Sequence, residues 1–315
     1  MRPRPAILLY HRVATPRFDP WGIAISPAHF EEQVRWLARH RHPLTLDAFV
    51  DALAAGTLSP HAVAVTFDDG YLDNLLHAYP VLQRERVPAT LFLATGFTAE
   101  GRRFWWDLLA DALLASIGEA DWTLETRTAT FVCAWRATEV ASPGWRAWQP
   151  PPGPREAAFL AIWTHLQRLS ESERSAALEE ILCRFPVAPE PDARAMREDE
   201  VRRILCDGVF SVGAHSVTHP ALTSLDTASL KQELSRSRAV CDAISGRPTR
   251  FLAYPYGDMD VRVQAAAAEA GFAAAFSTEA SSPTRLQMIS QPMAIPRIVP
   301  PSAGRHALAR ALRAL

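Results

Sequence analysis

The sequence lacks the features expected of a nucleic-acid-binding or membrane-spanning protein. Its 33 basic and 34 acidic residues nearly balance, and neither sign forms a run, so no nucleic-acid partner is expected. No stretch approaches the roughly 18 consecutive apolar residues of a membrane-spanning helix. The apolar run Ala6–Tyr10 near the start is too short for a signal peptide. We therefore expect a cytoplasmic protein that works in solution or at the cytoplasmic face of a membrane.

Cysteine is also scarce. The four cysteines form no CxxC pair, which argues against a zinc knuckle or a dithiol redox motif, and we expect four reduced thiols in the core. They are Cys133, Cys183, Cys206 and Cys241. Apolar residues, in contrast, make up 48% of the 315 residues. That content can bury a sizeable core, and single α/β barrels often reach this length.

Apolar runs alternate with amphipathic segments along much of the chain. The continuous runs Ala6–Tyr10 and Ala62–Phe67 predict strands buried on both faces, as in a parallel sheet covered by helices. Further strands are predicted near 89–93, 210–213, 251–254 and 272–277, and helices near 73–82, 227–244 and 260–270. Repeated βα units of this kind favour a parallel barrel or a doubly wound sheet.

Capping residues predict two more helices before the second strand. Ser26 followed by Pro27 is typical of a helix start, with Ser as the N-cap and Pro in the first turn. Asp47 is expected to cap the next helix, which Gly56 ends.

The region from about 101 to 203 breaks this alternation. It contains the aromatic run Phe104–Trp106, several further tryptophans and a Pro-rich hinge at 149–154. Residues 122–131 alternate as in a strand or hairpin. We predict one domain over residues 1–315, interrupted by a Trp-rich, mainly helical insertion at about 101–203. Its tryptophans either form the core of the insertion or offer a platform on which sugars stack.

Two polar segments carry the chemistry. Thr66-Phe67-Asp68-Asp69-Gly70-Tyr71 and His215-Ser216-Val217-Thr218-His219 each follow a predicted strand, and α/β folds place their active sites where strands give way to loops. The i, i+4 histidine spacing is expected to form a helical turn with both imidazoles on one face. Each segment alone is a weak signal, but their joint placement predicts a metal site.

The charges of these residues suggest a division of labour. Two imidazoles and one carboxylate make a metal site with open positions, which leaves the second carboxylate to act as a base on water. Gly70 allows the chain to turn sharply beneath them. The residues alone leave open which aspartate takes which role.

Thr66–Tyr71 and His215–Pro220 resemble the first two signature motifs of the polysaccharide deacetylases, the carbohydrate esterase group with the chitooligosaccharide-deacetylase homology domain. The resemblance implies that Asp68 is the general base and that Asp69, His215 and His219 bind a divalent metal, usually Zn²⁺. It further implies an α/β fold, a distorted (β/α)7-type barrel. It covers roughly residues 1–98 and 205–300, so the insertion lies outside it.

The segment 250–257 resembles the third motif of this family. By that resemblance Pro255 and Tyr256 line the substrate cleft, and the backbone NH of Tyr256 is an oxyanion donor. The arginine that orients the base in the family falls at Ala253 here. Either another arginine, such as Arg297, takes its place, or the base is held less firmly; the alternative for Arg297 is a surface cation at a strand end.

The family's late Leu-x-His motif, which supplies the general acid, is missing. Leu8–Val13 instead resembles the N-terminus of exopolysaccharide (poly-N-acetylglucosamine-type) deacetylases, whose barrel order is circularly permuted, and this implies His11 as the acid. The chemistry agrees, because an imidazole can protonate a leaving amine near neutral pH. The alternative is a structural histidine that closes a strand.

Together these features predict a metal-dependent hydrolase that removes acetyl groups, N-acetyl in preference to O-acetyl, from a sugar or polysaccharide precursor. Its partner would be an acetylated sugar, an oligosaccharide or a lipid-linked glycan. Two alternatives stay open. One is a metal-dependent amidohydrolase acting on a small amide or imide, and the other is a catalytically idle relative that binds carbohydrate.

Overall fold

The structure, a computed structural model, describes residues 3–315. The strands are β1 (Ala6–Tyr10), β2 (Arg12–Val13), β3 (Ala24–Ile25), β4 (His42–Pro43), β5 (Ala62–Phe67), β6 (Ala89–Leu93), β7 (Ala120–Glu125), β8 (Thr130–Trp135), β9 (Phe210–Ala214), β10 (Phe251–Ala253) and β11 (Ala274–Phe276). The α-helices are α1 (Pro27–His40), α2 (Leu46–Ala55), α3 (Tyr79–Glu85), α4 (Thr95–Thr98), α5 (Trp105–Leu114), α6 (Pro154–Leu166), α7 (Glu171–Arg184), α8 (Glu198–Leu205), α9 (Thr227–Ser245), α10 (Val261–Glu269), α11 (Arg285–Ser290) and α12 (Arg305–Arg313). A π-helix (Asn74–Ala78) and two 3₁₀ turns (Leu222–Ser224, Pro255–Gly257) complete the elements.

The chain forms two compact units. The first contains the chain up to Thr15 together with Ala24–Arg102 and Asp192–Leu315, and the second contains Pro16–Ile23 and Arg103–Pro191.

The first unit is built on a parallel sheet in the order β1-β5-β6-β9-β10-β11, with β4 paired to the start of β5. Every pair of neighbours in this order is parallel. All residues of β1 and β5 are buried, as the continuous apolar runs predict for strands covered on both faces. The predicted α/β class with a parallel sheet is confirmed.

The two edge strands of the sheet are joined by a short segment near the C-terminus. Ile295 bridges to Phe276 of β11 and Ile298 bridges to Leu8 of β1, both in parallel fashion. The amide of Leu9 donates to the carbonyl of Ile298 at 2.8 Å. The sheet therefore curls round, in agreement with the distorted barrel-type fold that the family resemblance implies, and Arg297 lies between the two bridges.

The residues that cap α1 and α2 agree in part with those predicted from the sequence. Ser26 caps α1, and its Oγ accepts from the amide of His29 at 3.3 Å. The cap of α2 is Thr45 rather than Asp47, which lies in the first turn. The prediction for Asp47 is wrong by two positions because Thr45 Oγ1 already accepts the orphan amide of Ala48 at 3.2 Å. Gly56 ends α2 with φ 75°, as predicted.

The second unit contains the hairpin β7–β8, which is antiparallel as the alternation predicts, and the helices α5, α6 and α7. Several of its tryptophans are buried core residues, namely Trp105, Trp106, Trp135, Trp145 and Trp163. Trp148 is 68% exposed. Cys133 in this unit and Cys241 in the first are buried, but Cys183 and Cys206 are exposed. The expectation of four core thiols is therefore wrong for two of them, whose helices turn these positions to solvent.

Over residues 3–315, no helix is both long enough and apolar enough to cross a bilayer.

Candidate metal centre

The predicted site residues follow four strands of the parallel sheet. His11 comes directly after β1, Asp68 and Asp69 after β5, His215 after β9, and the Pro255–Gly257 turn one residue after β10. Because the carboxyl ends of parallel strands meet at one edge of a sheet, these side chains are brought to the same edge.

A tight turn separates the two aspartates. Asp69 has φ 71° and Gly70 has φ 87°, both in the left-handed region that costs free energy for residues other than glycine. A Cβ on Gly70 would lie 2.7 Å from Leu93 Cδ2. The turn directs the carboxylates of Asp68 and Asp69 to different partners.

Three side chains converge on one point. Asp69 Oδ1 lies 3.5 Å from His215 Nε2 and 3.3 Å from His219 Nε2, and the two Nε2 atoms are 3.1 Å apart. All three residues are buried. The predicted ligands Asp69, His215 and His219 therefore form one cluster.

The residues fit a divalent cation. Tetrahedral zinc bonds of 2.0–2.1 Å place donor atoms about 3.3 Å apart, close to the separations of these three atoms. His215 Nδ1 lies 2.8 Å from the carbonyl oxygen of Ala253, so Nδ1 carries the proton and Nε2 presents a lone pair. Asp69 Oδ1 is buried and accepts no hydrogen bond of ordinary geometry from the residues that the structure describes. A bound cation would satisfy this oxygen.

The histidine pair lies on a loop, not on the predicted helical turn. Ser216 has φ 62° and His219 has φ 55°, which are incompatible with a right-handed helix. The amide of His219 donates to Ser216 Oγ at 3.1 Å. The helical prediction is wrong because these left-handed residues, not an i, i+4 ladder, bring the imidazoles together.

Glu233 on α9 supports this loop. Its Oε2 accepts from the amides of Val217 at 2.7 Å and Thr218 at 3.0 Å, and its Oε1 accepts from Thr218 Oγ1 at 2.9 Å. One carboxylate thus satisfies two backbone amides between the two histidines, which holds the loop in its strained conformation.

Arg297 pairs with Asp68. Its Nη1 donates to Asp68 Oδ1 and its Nη2 to Asp68 Oδ2, each at 2.7 Å, and its Nε donates to the carbonyl of Ser277 at 3.2 Å. The side chain is 0% exposed, so the alternative of a surface cation is wrong. The guanidinium therefore holds both carboxylate oxygens of Asp68.

The electrostatics of the cluster favour ionised carboxylates. Burial works to raise the pKa of Asp68, but the charges of Arg297 and His215 outweigh it and the pKa lies below its ordinary value. For Asp69, burial is likewise outweighed by His215 and His219, with a smaller contribution from His11, and the pKa is far below its ordinary value. The pKa of His215 is raised despite burial because both carboxylates stabilise its charged form. These buried negative charges attract a cation.

His11 is half-buried, and its carbonyl accepts from Asn74 Nδ2 at 2.8 Å. A positive charge on its imidazole would lower the pKa of both Asp68 and Asp69.

The third motif forms a 3₁₀ turn with Tyr256 at φ 60°. The Tyr256 hydroxyl donates to the carbonyl of His219 at 3.3 Å, and the rings of the two residues meet edge to face at 4.5 Å between centroids. Pro255, the preceding residue, is buried. The structure thus brings Tyr256 into contact with His219, a candidate metal ligand. The site therefore includes the third motif as well as the segments that carry Asp69 and the two histidines.

Three supporting residues escaped the sequence analysis. Glu233, Asp73 and Asn74 are single polar residues on or beside helices, where such residues usually face solvent. The adjacency of Asp73 and Asn74 to the first motif is the one signal that could have identified them.

Comparison with known proteins places the chain in a family. The model of the polysaccharide deacetylase family matches residues 55–182 and 185–275. This match covers more than half of the chain, so the chain belongs to the polysaccharide deacetylase family. It also includes most of the insertion, which the resemblance read from the motifs left out.

Among curated proteins, the poly-beta-1,6-N-acetyl-D-glucosamine N-deacetylase of Staphylococcus aureus is 31% identical over 137 residues, or 38% of this chain. The chain spans about half, 47%, of the length of that relative.

Two solved structures share the fold over nearly the whole chain. The deacetylase PplD of Streptococcus pyogenes, in complex with acetate, aligns with a TM-score of 0.63 at 16% identity and covers 99% of each chain. IcaB from Ammonifex degensii aligns with a TM-score of 0.60 at 19% identity, over 98% of this chain and 97% of the other. At these identities the likeness establishes the fold alone.

Proposed function

We propose that this chain is a metal-dependent hydrolase that removes acetyl groups, N-acetyl in preference to O-acetyl, from a glucosamine-containing polysaccharide or its precursor. The observation that carries the proposal is the buried set Asp69, His215 and His219 with Asp68 held beside it by Arg297. The name of the Staphylococcus aureus relative supports the substrate class.

Asp69, His215 and His219 would hold the cation, and a set of one carboxylate and two imidazoles suits zinc. When bound, a divalent cation supplies Lewis-acid chemistry, since it polarises an acyl carbonyl and makes water more acidic. His215 is oriented for this role by its Nδ1 contact with Ala253.

Asp68 is the proposed general base. Its carboxylate takes a proton from the attacking water, and the remaining hydroxyl joins the acyl carbon. The two-point contact with Arg297 keeps the carboxylate ionised and fixes its plane. In this role Arg297 orients the base, as the arginine missing at Ala253 does in the family.

His11 is the proposed general acid. It donates a proton to the sugar nitrogen as the carbon–nitrogen bond breaks, so acetate and a free amine leave the site. The backbone NH of Tyr256 as an oxyanion donor stays a prediction.

One alternative is now less favoured. The case for a catalytically idle relative depended on the arginine missing at Ala253 and on the displaced general acid. Arg297 supplies a buried guanidinium that binds Asp68, which weakens the first of these arguments. A small amide or imide as substrate stays a prediction, as do the lipid-linked glycan and the cytoplasmic location.

Acetate release from a β-1,6-linked N-acetylglucosamine oligomer tests the proposal directly. The zinc-loaded wild type is expected to release acetate, and Asp68→Asn to lose at least about 100-fold in rate while keeping its zinc. No release by the zinc-loaded wild type, or an undiminished rate in the variant, would overturn the proposal.

A further inference from the structure

Asp73 and Asn74 hold the loop that carries His11. They lie where the π-helix begins, and their exposures are 3% and 0%. Neither residue belongs to the proposed metal ligands, the base or the acid.

The two side chains bind three successive residues, His11 and the two residues of β2. Asn74 Nδ2 donates to the carbonyl of His11 at 2.8 Å. Asp73 Oδ1 accepts from the amide of Val13 at 2.9 Å, and Asp73 Oδ2 accepts from Arg12 Nε at 3.0 Å. Asn74 Nδ2 also donates to Asp73 Oδ1 at 3.0 Å, which ties the pair together.

The main chain at His11 depends on these contacts. His11 lies between β1 and the two-residue strand β2 and belongs to neither, so no sheet ladder fixes its conformation. Asp73 and Asn74 come four and five residues after Asp69 on the same chain segment. They therefore link the loop of the proposed acid to the segment that carries the proposed base.

We infer that Asp73 and Asn74 are positioning residues for His11 and determine where its imidazole meets the leaving group. The inference rests on the proposed function. Proton transfer requires hydrogen-bond reach to the leaving atom, and a displacement of about 1 Å can cost on the order of 100-fold in rate.

The test compares two substrates that differ in their need for an acid. An N-acetylglucosamine oligomer must have its leaving nitrogen protonated, whereas 4-nitrophenyl acetate releases a phenolate that needs no proton. We expect Asn74→Ala and Asp73→Asn to lower kcat on the oligomer about 10- to 100-fold and kcat on the ester by less than about twofold. The zinc content of both variants is expected to equal that of the wild type.

Ser237→Ala is the matched control. Ser237 is also a fully buried polar residue in the first unit, and its Oγ donates to the carbonyl of Leu234 at 3.0 Å, away from His11 along the chain. Its loss is expected to leave the ratio of the two rates unchanged. A ratio shifted as strongly as in Asn74→Ala would overturn the inference, because it would mark the shift as a general effect of packing damage.

A double variant tests whether the residues act through His11. If they do, His11→Gln/Asn74→Ala cleaves the oligomer no more slowly than His11→Gln. Losses that multiply, or equal losses on both substrates in Asn74→Ala, would overturn the inference.

The failures are distinguishable. A zinc-loaded wild type that cleaves neither substrate overturns the proposed function. An active wild type with His11→Gln unimpaired on the oligomer overturns His11 as the acid, and the inference with it. Impaired His11→Gln beside unimpaired Asn74→Ala and Asp73→Asn overturns the inference alone.

Discussion

Arg297 and Asp68 form a fully buried, two-point ion pair, with the guanidinium 0% exposed and the carboxylate 2%. Removing one partner of such a pair leaves an uncompensated charge out of water. We expect Arg297→Met to lower the free energy of unfolding by about 3–5 kcal/mol, measured by urea denaturation.

Arg297→Lys is the companion variant. It keeps the charge but loses the two-point contact, so it should cost less stability than Arg297→Met. Equal stability of wild type and Arg297→Met would contradict the account of this pair.

The sequence predicted that the side chains of Asp69, His215 and His219 lie together. It did not predict which residue holds the carboxylate of Asp68. Asp68 and Arg297 are 229 positions apart, and no spacing rule connects them. Only the closing segment between the Ile295 and Ile298 bridges brings the guanidinium to the carboxylate. This is why the sequence left Arg297 open between an orienting residue and a surface cation.

Helix α9 stabilises the loop His215–His219 through the side chain of Glu233. Replacing its carboxylate by an amide keeps the size of the side chain but gives the amides of Val217 and Thr218 a neutral, weaker acceptor. We expect Glu233→Gln to weaken zinc binding about 10-fold, in the range for residues that orient metal ligands, as measured by competition with a chelating dye.

Glu269→Gln is the matched control for Glu233→Gln. Its carboxylate is 62% exposed and pairs with Lys231, so zinc affinity should not change. Zinc affinity that is unchanged in Glu233→Gln as well would contradict the role assigned to α9.

The elements themselves were predictable where periodicity decides them. The sequence predicted the buried strands β1 and β5 with their correct first and last residues. A short continuous apolar run is typical of a strand that is buried on both faces. The loop at His215–His219 was not, because the left-handed residues Ser216 and His219 are stabilised by contacts with distant residues such as Glu233.

In the whole molecule, residues 16–23 belong with the second unit, and no sequence pattern predicts this assignment. Tertiary contacts decide this, since the amide of Ala147 donates to the carbonyl of Pro20 at 2.7 Å and the rings of Trp21 and Trp163 lie 4.0 Å apart. That residues 1–315 form one domain with an insertion at about 101–203 stays a prediction.

In the second unit, the buried side chain of Arg155 connects several segments of the chain. Its guanidinium donates to the carbonyls of Leu113, Ser116, Gly118 and Glu139 and lies over the ring of Trp135. We expect Arg155→Met to lower the thermal stability of the second unit, since each carbonyl left unsatisfied costs about 1–3 kcal/mol. Calorimetry should show this as an earlier transition, with zinc binding intact.

The exposed Arg168 in the same unit provides the control Arg168→Met, which should leave the transition in place. An unchanged transition in Arg155→Met would contradict this role of Arg155.

Asp69, His215 and His219 are proposed to bind one metal ion. Elemental analysis of purified protein, beside a His215→Ala variant prepared in the same way, tests this site. We expect about one zinc or similar ion per chain in the wild type and none in the variant. No metal in the wild type even after zinc is added, or equal metal in both proteins, would contradict it.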